Sequence, residues 1–309
     1  MSHSAAAPGG SPRPVLAVGV IGYIIWGLIP ALFILAGRLG ASPWEIVGQR
    51  ALWSAPWAGL LVAASGHGDQ VRRVFASPRL LGQLAISALM IVSGWAVYVW
   101  AVNNGRNIES SLGYFINPLL NMAVGALMFR ERIDGVGVAA IGLAVIGVVL
   151  QTVSLGHPPV IALFLAVTFT IYGVIRKRVE VDEQAGLFVE SVLMFLPGLI
   201  LVVWLAHARV ARFGADLPLT SLLLIMGPAT VAPLALFSWT ARRMPLSSVA
   251  FLQFIGPTIG FLIGLLLGER LNPLGALSFV FIWAGVATFL FGAWRKSRRL
   301  GSIAIEEPA

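Results

Sequence analysis

The 309-residue chain is 58% hydrophobic and only 11% charged, less than half the roughly 25% charge of a water-soluble domain, so it lacks the polar residues to coat a soluble body of this length. Its net charge of +8 is spread over short breaks between apolar runs and a tail rather than gathered on one face, which excludes nucleic-acid binding. With no cysteine, disulfides, thiolate nucleophiles, iron–sulfur clusters and Cys-based zinc sites are excluded.

Taken in order, residues 1–14 are small, polar and rich in Pro and Gly, as in a disordered cytoplasmic tail. The apolar run from Val15 to Ala36 is too long for a signal-peptide core and reads as a first membrane span. Nine further runs approach the roughly 20 apolar residues that a spanning helix needs. They cover 44–64, 80–102, 109–129, 135–153, 159–175, 186–207, 219–240, 247–267 and 273–293. Residues 294–309 form a basic tail expected in the cytoplasm. The fold class expected is therefore an all-α membrane protein of ten transmembrane helices.

Orientation follows from Arg and Lys. With the N-terminus inside, the inner segments hold 15: Arg13, Arg72, Arg73, Arg79, Arg130, Arg132, Arg176, Lys177, Arg178, Arg242, Arg243, Arg295, Lys296, Arg298 and Arg299. The outer loops hold 5: Arg38, Arg106, Arg209, Arg212 and Arg270. Cytoplasmic loops retain an excess of basic residues, so both termini are expected inside.

The chain also repeats. Trp100–Pro118 aligns without gaps on Trp239–Pro257, placing Phe115-Ile116-Asn117-Pro118 on Phe254-Ile255-Gly256-Pro257. Trp26-Gly27 matches Tyr172-Gly173, and Pro56 matches Pro197. The halves are 15–153 and 159–293. Each holds five spans, an odd number, so the second half is expected upside down relative to the first. Inverted repeats of this kind recur in secondary transporters, where one half rocks against the other.

Several prolines fall within spans, among them Pro30, Pro118 and Pro257. Each removes a donor and frees the carbonyl four residues earlier, Tyr114 for Pro118 and Gln253 for Pro257. A carbonyl freed in lipid needs a partner or a wet cavity, so these helices are read either as kinked walls of a central cavity or as packing kinks alone. Arg50, beside Gln49, lies about two turns into the second span, and Glu190 about one turn into the seventh. Arg50 has two readings, an anion or gate contact or a snorkelling or structurally paired cation; Glu190 is a protonatable coupling switch or a structural acid. A direct Arg50–Glu190 pair is not expected, because inverted topology separates them by roughly 15 Å at 1.5 Å per residue.

Trp26, Trp95, Tyr98, Trp100, Tyr114 and Trp239 are expected to line an aromatic cavity, with Asn103, Asn117, Asn121 and Gln253 as hydrogen-bonding contacts. Trp44 and Trp294 read as interfacial anchors. Glu45, Glu109 and Glu269-Arg270 sit at helix ends and read as structural. The GxxxG face from Gly260 to Gly268 supports close packing, within the chain or in a homodimer. The four histidines lie in loops or at helix ends, so no HExxH site arises; no metal and no cofactor are expected. No GxxxxGK[ST] is present either, so energy for transport must come from a gradient, exchange or a partner.

Together, Gln49-Arg50-Ala51-Leu52-Trp53-Ser54, Leu112-Gly113-Tyr114-Phe115-Ile116-Asn117-Pro118-Leu119, Tyr172-Gly173, Glu190 with Leu196-Pro197, Val231-Ala232-Pro233-Leu234 and Gln253-Phe254-Ile255-Gly256-Pro257-Thr258 resemble the drug/metabolite transporter superfamily. Within its EamA-type branch the chain is similar to the RarD proteins, over nearly its whole length. The resemblance implies a plasma-membrane permease of two inverted EamA repeats around a central cavity, moving a drug or metabolite, with chloramphenicol as a nominal association. Members of this family tend to have His before the arginine of the second span; Gln49 stands there, which removes a titrating role at that position.

The function expected is secondary transport of a small amphipathic or aromatic molecule, with that molecule and membrane lipid as partners. The competing reading is a membrane scaffold or accessory subunit. An intramembrane enzyme would find few catalytic groups here. Because the chain has no native cysteine, topology is directly testable. A membrane-impermeant maleimide should label Arg270→Cys in intact cells and Arg132→Cys only after permeabilisation; labelling of both from one side would overturn the ten-span alternation.

Overall fold

The computed structural model of the protein describes residues 12–129, 134–241, 243 and 252–303. Among these residues there are eleven helices and no strand. They are α1 (Pro12–Arg38), α2 (Pro43–Ser65), α3 (Gly68–Phe75), α4 (Pro78–Asn103), α5 (Asn107–Phe129), α6 (Gly135–Leu155), α7 (Val160–Arg178), α8 (Glu183–His207), α9 (Leu217–Ala241), α10 (Ile255–Leu266) and α11 (Pro273–Ile303).

Local chemistry sets the helix starts. Ser42 and Ser77 accept the N–H of Glu45 and Leu80 at 3.1 and 3.4 Å, and each is followed by a proline that needs no donor in the first turn. Asp134 and Asp182 cap α6 and α8 in the same way, through the N–H of Gly137 and Gln184. α2 and α6 end at Gly66 and Gly156, whose φ of 74° and 72° is the left-handed geometry that glycine adopts without a Cβ clash.

Seven helices are long and apolar enough to cross a membrane: α1, α4, α6, α7, α8, α9 and α11. α2 and α5 are 23 residues each but carry Gln49 and Arg50, or Asn117 and Asn121, among their apolar positions. Outward faces are apolar, with Leu127 and Leu266 82% and 85% exposed, a surface suited to acyl chains rather than water.

Three elements depart from the sequence expectation. The loop after α2 holds the short helix α3, too polar to register as a span, which packs on α4 and α8. α11 runs on through the basic segment to Ile303, because no proline interrupts residues 294–303, so the start of the expected tail is helical. In the expected ninth span, 247–267, the described helix begins only at Ile255, and residues 244–251 lie outside the described residues. Pro257 therefore stands in the first turn of α10, where a missing donor costs little, just after the turn at Gln253 and Phe254. Pro30 and Pro118 lie inside the unbroken helices α1 and α5.

Helix packing is dominated by distant pairs. α6 lies along α11, α2 against α8 and α9, α7 against α4 and α5, α1 against α9 and α10, α8 against α4, and α10 against α5. Small residues let these pairs close. A Cβ added at Gly260 or Gly264 would meet Ser111 Oγ at 2.7 Å or Ile108 Cγ1 at 2.9 Å, so the GxxxG face of α10 is spent on α5 inside the chain. At the α5–α7 crossing, a Cβ on Gly113 would lie 2.7 Å from the Ala162 carbonyl oxygen. Backbone cannot move aside as a side-chain tip can. Gly113→Ala should therefore cost about 1–3 kcal/mol and lower the unfolding temperature in detergent. Gly82→Ala, where a Cβ would meet nothing within 4 Å, should leave that temperature unchanged or slightly raised.

Candidate functional site

A cavity of about 490 Å³ lies among the helices, within the size range of small-molecule sites. Its walls come from matching stretches of the two halves of the sequence. Tyr23, Trp26 and Gly27 of α1 and Phe169, Tyr172 and Gly173 of α7 line it at identical spacing. So do Tyr114, Asn117 and Pro118 of α5 and Gln253, Gly256 and Pro257 at the start of α10. On α5 the lining residues Ser111, Tyr114, Asn117, Pro118 and Asn121 recur every three or four positions, which is one face of a helix.

The wall is aromatic with a few fixed polar groups. Tyr114 meets Tyr98 and Phe169 edge to face, with ring centroids 5.3 and 5.1 Å apart. Asn117 donates to the Ala166 carbonyl at 3.3 Å and accepts from Asn121 at 2.8 Å. The Tyr23 hydroxyl is hydrogen-bonded to the Gln253 side chain, tying α1 to the entry of α10. The cavity reaches the α7–α8 connection, where Arg176, Lys177, Val181, Glu183 and Gln184 line it.

Behind Trp26, Phe169, Tyr172, Leu187 and Leu234, which border both spaces, lies an annex of about 60 Å³. Arg50 and Glu190 both line it. Arg50 is buried; its Nε donates to Thr230 Oγ1 at 2.7 Å, and its guanidinium sits 3.8 Å from the Trp95 ring centroid and 5.4 Å from that of Phe33. A desolvated cation–π contact contributes about 2 kcal/mol, less than the several kcal/mol that burying an unpaired cation costs. No carboxylate lies within 4.0 Å of Arg50 among the described residues. Glu190 accepts from Ser87 Oγ at 2.6 Å, is hydrogen-bonded to Tyr172, and faces Arg176 Nε at 4.0 Å. The two charges thus border one annex without forming an ion pair.

Phe33, over which Arg50 sits, belongs with Ile29, Ile46, Val99, Leu219, Leu223 and Met226 to a buried apolar cluster toward the start of α2. Three carboxylates at that end bind backbone N–H groups of distant segments. Glu45 accepts from Arg212 and Phe213 at 2.7 and 2.8 Å. Glu269 accepts from Asn107 and Ile108 at 2.7 and 2.9 Å, neutralising open donors at the start of α5. Glu109 accepts from Ile161 at 3.3 Å and pairs with Arg106.

Of the residues proposed from sequence, Trp26, Tyr98, Tyr114, Asn117, Pro118, Asn121, Gln253 and Pro257 border the main cavity, and Trp26, Trp95, Arg50 and Glu190 the annex. The rest stand elsewhere. Trp100 and Trp239 are each 38% exposed, with the guanidinium groups of Arg106 and Arg243 over their rings at 6.0 and 4.3 Å. These matched tryptophans face outward at helix ends, as interfacial anchors do. Asn103 turns back to cap α4 by donating to the Val99 carbonyl. Gln49 is buried and accepts from Trp53 Nε1 at 2.9 Å, and Pro30 is buried away from both spaces. Sequence reasoning missed Tyr23 and Phe169; carrying the Trp26–Tyr172 match three residues back would have found both. No sequence signal points to Thr230, 180 residues from Arg50.

Residues 13–153 match the EamA-like transporter family. An uncharacterized transporter of Pseudomonas aeruginosa is 39% identical over 92% of this chain and 95% of its own. Protein RarD of Escherichia coli is 34% identical over 93% of this chain and 97% of its own, and a chloramphenicol-sensitive protein RarD of Pseudomonas aeruginosa 30% identical over 83% and 86%. A crystal structure with 18% identity shares the fold at a TM-score of 0.55, covering 92% of this chain and 99% of that one. A helical, multi-pass body with apolar outer faces and a central aromatic cavity, in a chain with these relatives, is a membrane transporter of the drug/metabolite type. The chain belongs to the RarD family of EamA-like transporters.

The cavity's water access is measurable residue by residue. Cysteines placed at Asn117 and Gln253 should react with a small hydrophilic thiol reagent in purified protein, and a cysteine at Gln49 should react at least about tenfold more slowly, as buried thiols do.

Proposed function

We propose that the protein is a secondary transporter that moves a small amphipathic or aromatic metabolite or drug across the plasma membrane by alternating access, through two inverted five-helix repeats. The observation that carries this reading is the matched lining of the cavity: equal-spaced triplets from α1 and α7, and from α5 and α10, face one space. Helix packing supports the repeats. Exchanging α1, α2, α4, α5 and α6 for α7, α8, α9, α10 and α11 in order turns the α1–α9 contact into α7–α4, α1–α10 into α7–α5, and α2–α9 into α8–α4, while α2–α8, α5–α10 and α6–α11 map onto themselves. Two halves related in this way have two nearly equivalent ways to rock, which alternating access requires.

The Arg and Lys bias puts both termini and the α7–α8 connection in the cytoplasm, so the cavity as described is open inward. Glu45, Glu109 and Glu269 then hold the outer end shut by joining early and late segments of the chain. Tyr114, Asn117 and Gln253 contact the passenger; Arg50 and Glu190 form its deepest polar contacts. No reaction chemistry is assigned. The name of one relative makes chloramphenicol a reasonable first compound to try.

An unbiased comparison of metabolites in cells with and without the gene, followed by flux of the leading candidate through purified protein in liposomes, tests this. Flux should fall about tenfold or more in Arg50→Ala and Tyr114→Ala, through loss of contacts worth about 1.5 kcal/mol each, and persist in Trp100→Ala. Normal flux in both cavity variants would remove the proposed path. No flux at all, with a changed abundance of a partner membrane protein in the deletion strain, would favour the accessory-subunit reading.

A further inference from the structure

The surroundings of Arg50 narrow the chemistry of the passenger. A guanidinium carries five N–H donors in a planar fork. Here one is spent, on Thr230, whose own hydroxyl donates onward to the Met226 carbonyl. Trp95 and Phe33 face the cation but accept no strong hydrogen bond. The Nη groups have no acceptor among the described residues, and no carboxylate stands within 4.0 Å. Yet the residue is only 6% exposed and lines an annex of about 60 Å³. That space exceeds several times over the roughly 10–15 Å³ that a single water needs.

The other charge on the annex does not complete Arg50. Glu190 is engaged by Ser87, Tyr172 and Arg176, the last also donating to the Glu183 carbonyl. The annex therefore presents one cation with spare donors and one acid already held by three neighbours. Aromatic side chains, Trp26, Phe169 and Tyr172, border both the annex and the main cavity.

We propose that the annex is an anion subsite: Arg50 receives the carboxylate of an organic acid whose aromatic or apolar body lies among Trp26, Tyr114 and Phe169. This rests on the cavity being a transport site. A neutral or cationic passenger would leave the buried guanidinium uncompensated, whereas a carboxylate matches its fork with two parallel hydrogen bonds.

Phenylacetate, phenylacetamide and 2-phenylethylamine share a ring and differ in head group. Their binding to purified protein is read as protection of an Asn121→Cys thiol against maleimide and, in the protein without that cysteine, as quenching of tryptophan fluorescence. Phenylacetate should bind about 10- to 100-fold more tightly than the amide, the range expected for charged hydrogen bonds, with the amine weakest. Arg50→Gln should erase that preference and Arg50→Lys keep part of it. Should Arg50→Gln fail to fold, the wild-type ranking and Arg50→Lys carry the test unaided. Equal protection by all three compounds keeps the cavity and overturns the anion subsite, as does an unchanged preference in Arg50→Gln. Protection by none of them overturns the cavity as a binding site, and the subsite with it.

Discussion

Lipid offers no hydrogen bond, and that single constraint organises the polar residues of this protein. Three acids at helix ends find backbone donors that hydrocarbon would leave bare. Glu269 takes two N–H groups and the side chain of Asn107 at the start of α5; Glu45 takes those of Arg212 and Phe213; Glu109 takes that of Ile161. Every one of these bonds spans more than 50 residues of chain. Satisfying the backbone and joining early to late segments of the chain are therefore the same act.

The same economy shapes the helix contacts. Without a hydrophobic drive between helices in lipid, contact depends on close approach, so glycine and alanine stand where helices cross. Gly113 lies against the backbone of α7, Gly260 and Gly264 against α5, and Gly147 against Ile282 and the Ser278 carbonyl of α11. α6 and α11 are further joined by the buried bond from Ser278 to Gln151. Tight crossings outside the centre leave the aromatic side chains of α1, α5 and α7 to surround the space that remains.

Much of this frame was legible in the chain. The long apolar runs mark α1, α4, α6, α7, α8, α9 and α11 because length and hydropathy act locally. α3 escaped notice because an eight-residue helix leaves no hydropathy signal. The site was half legible. Tyr114, Asn117 and Gln253 stood out as polar or aromatic residues next to repeated prolines, and that helical face does turn inward. Trp100 and Trp239 share the same repeat but end at the membrane surface, since a matched residue reports the symmetry of two halves and not the direction a side chain takes. Asn103 and Gln49 misled for another reason: a nearby carbonyl or indole N–H satisfied each locally, at Val99 and Trp53.

Symmetry of frame and asymmetry of chemistry coexist in this cavity. Tyr114 and Asn117 on α5 correspond to Gln253 and Gly256 at α10, so one wall carries an aromatic ring and an amide where its counterpart carries an amide and a bare backbone. In the second and seventh expected spans, Arg50 corresponds to Ser191 and Gln49 to Glu190, so the two charges that border the annex are of opposite sign and one matched position apart. On the function proposed above, paired backbones would allow two states of similar energy, and unpaired side chains would give the passenger one preferred orientation in both. A transporter assembled from identical halves would have to bind its cargo two ways. On the same reading, the buried guanidinium of Arg50 is the asymmetry that sets this orientation, because Glu190 is already held by Ser87, Tyr172 and Arg176.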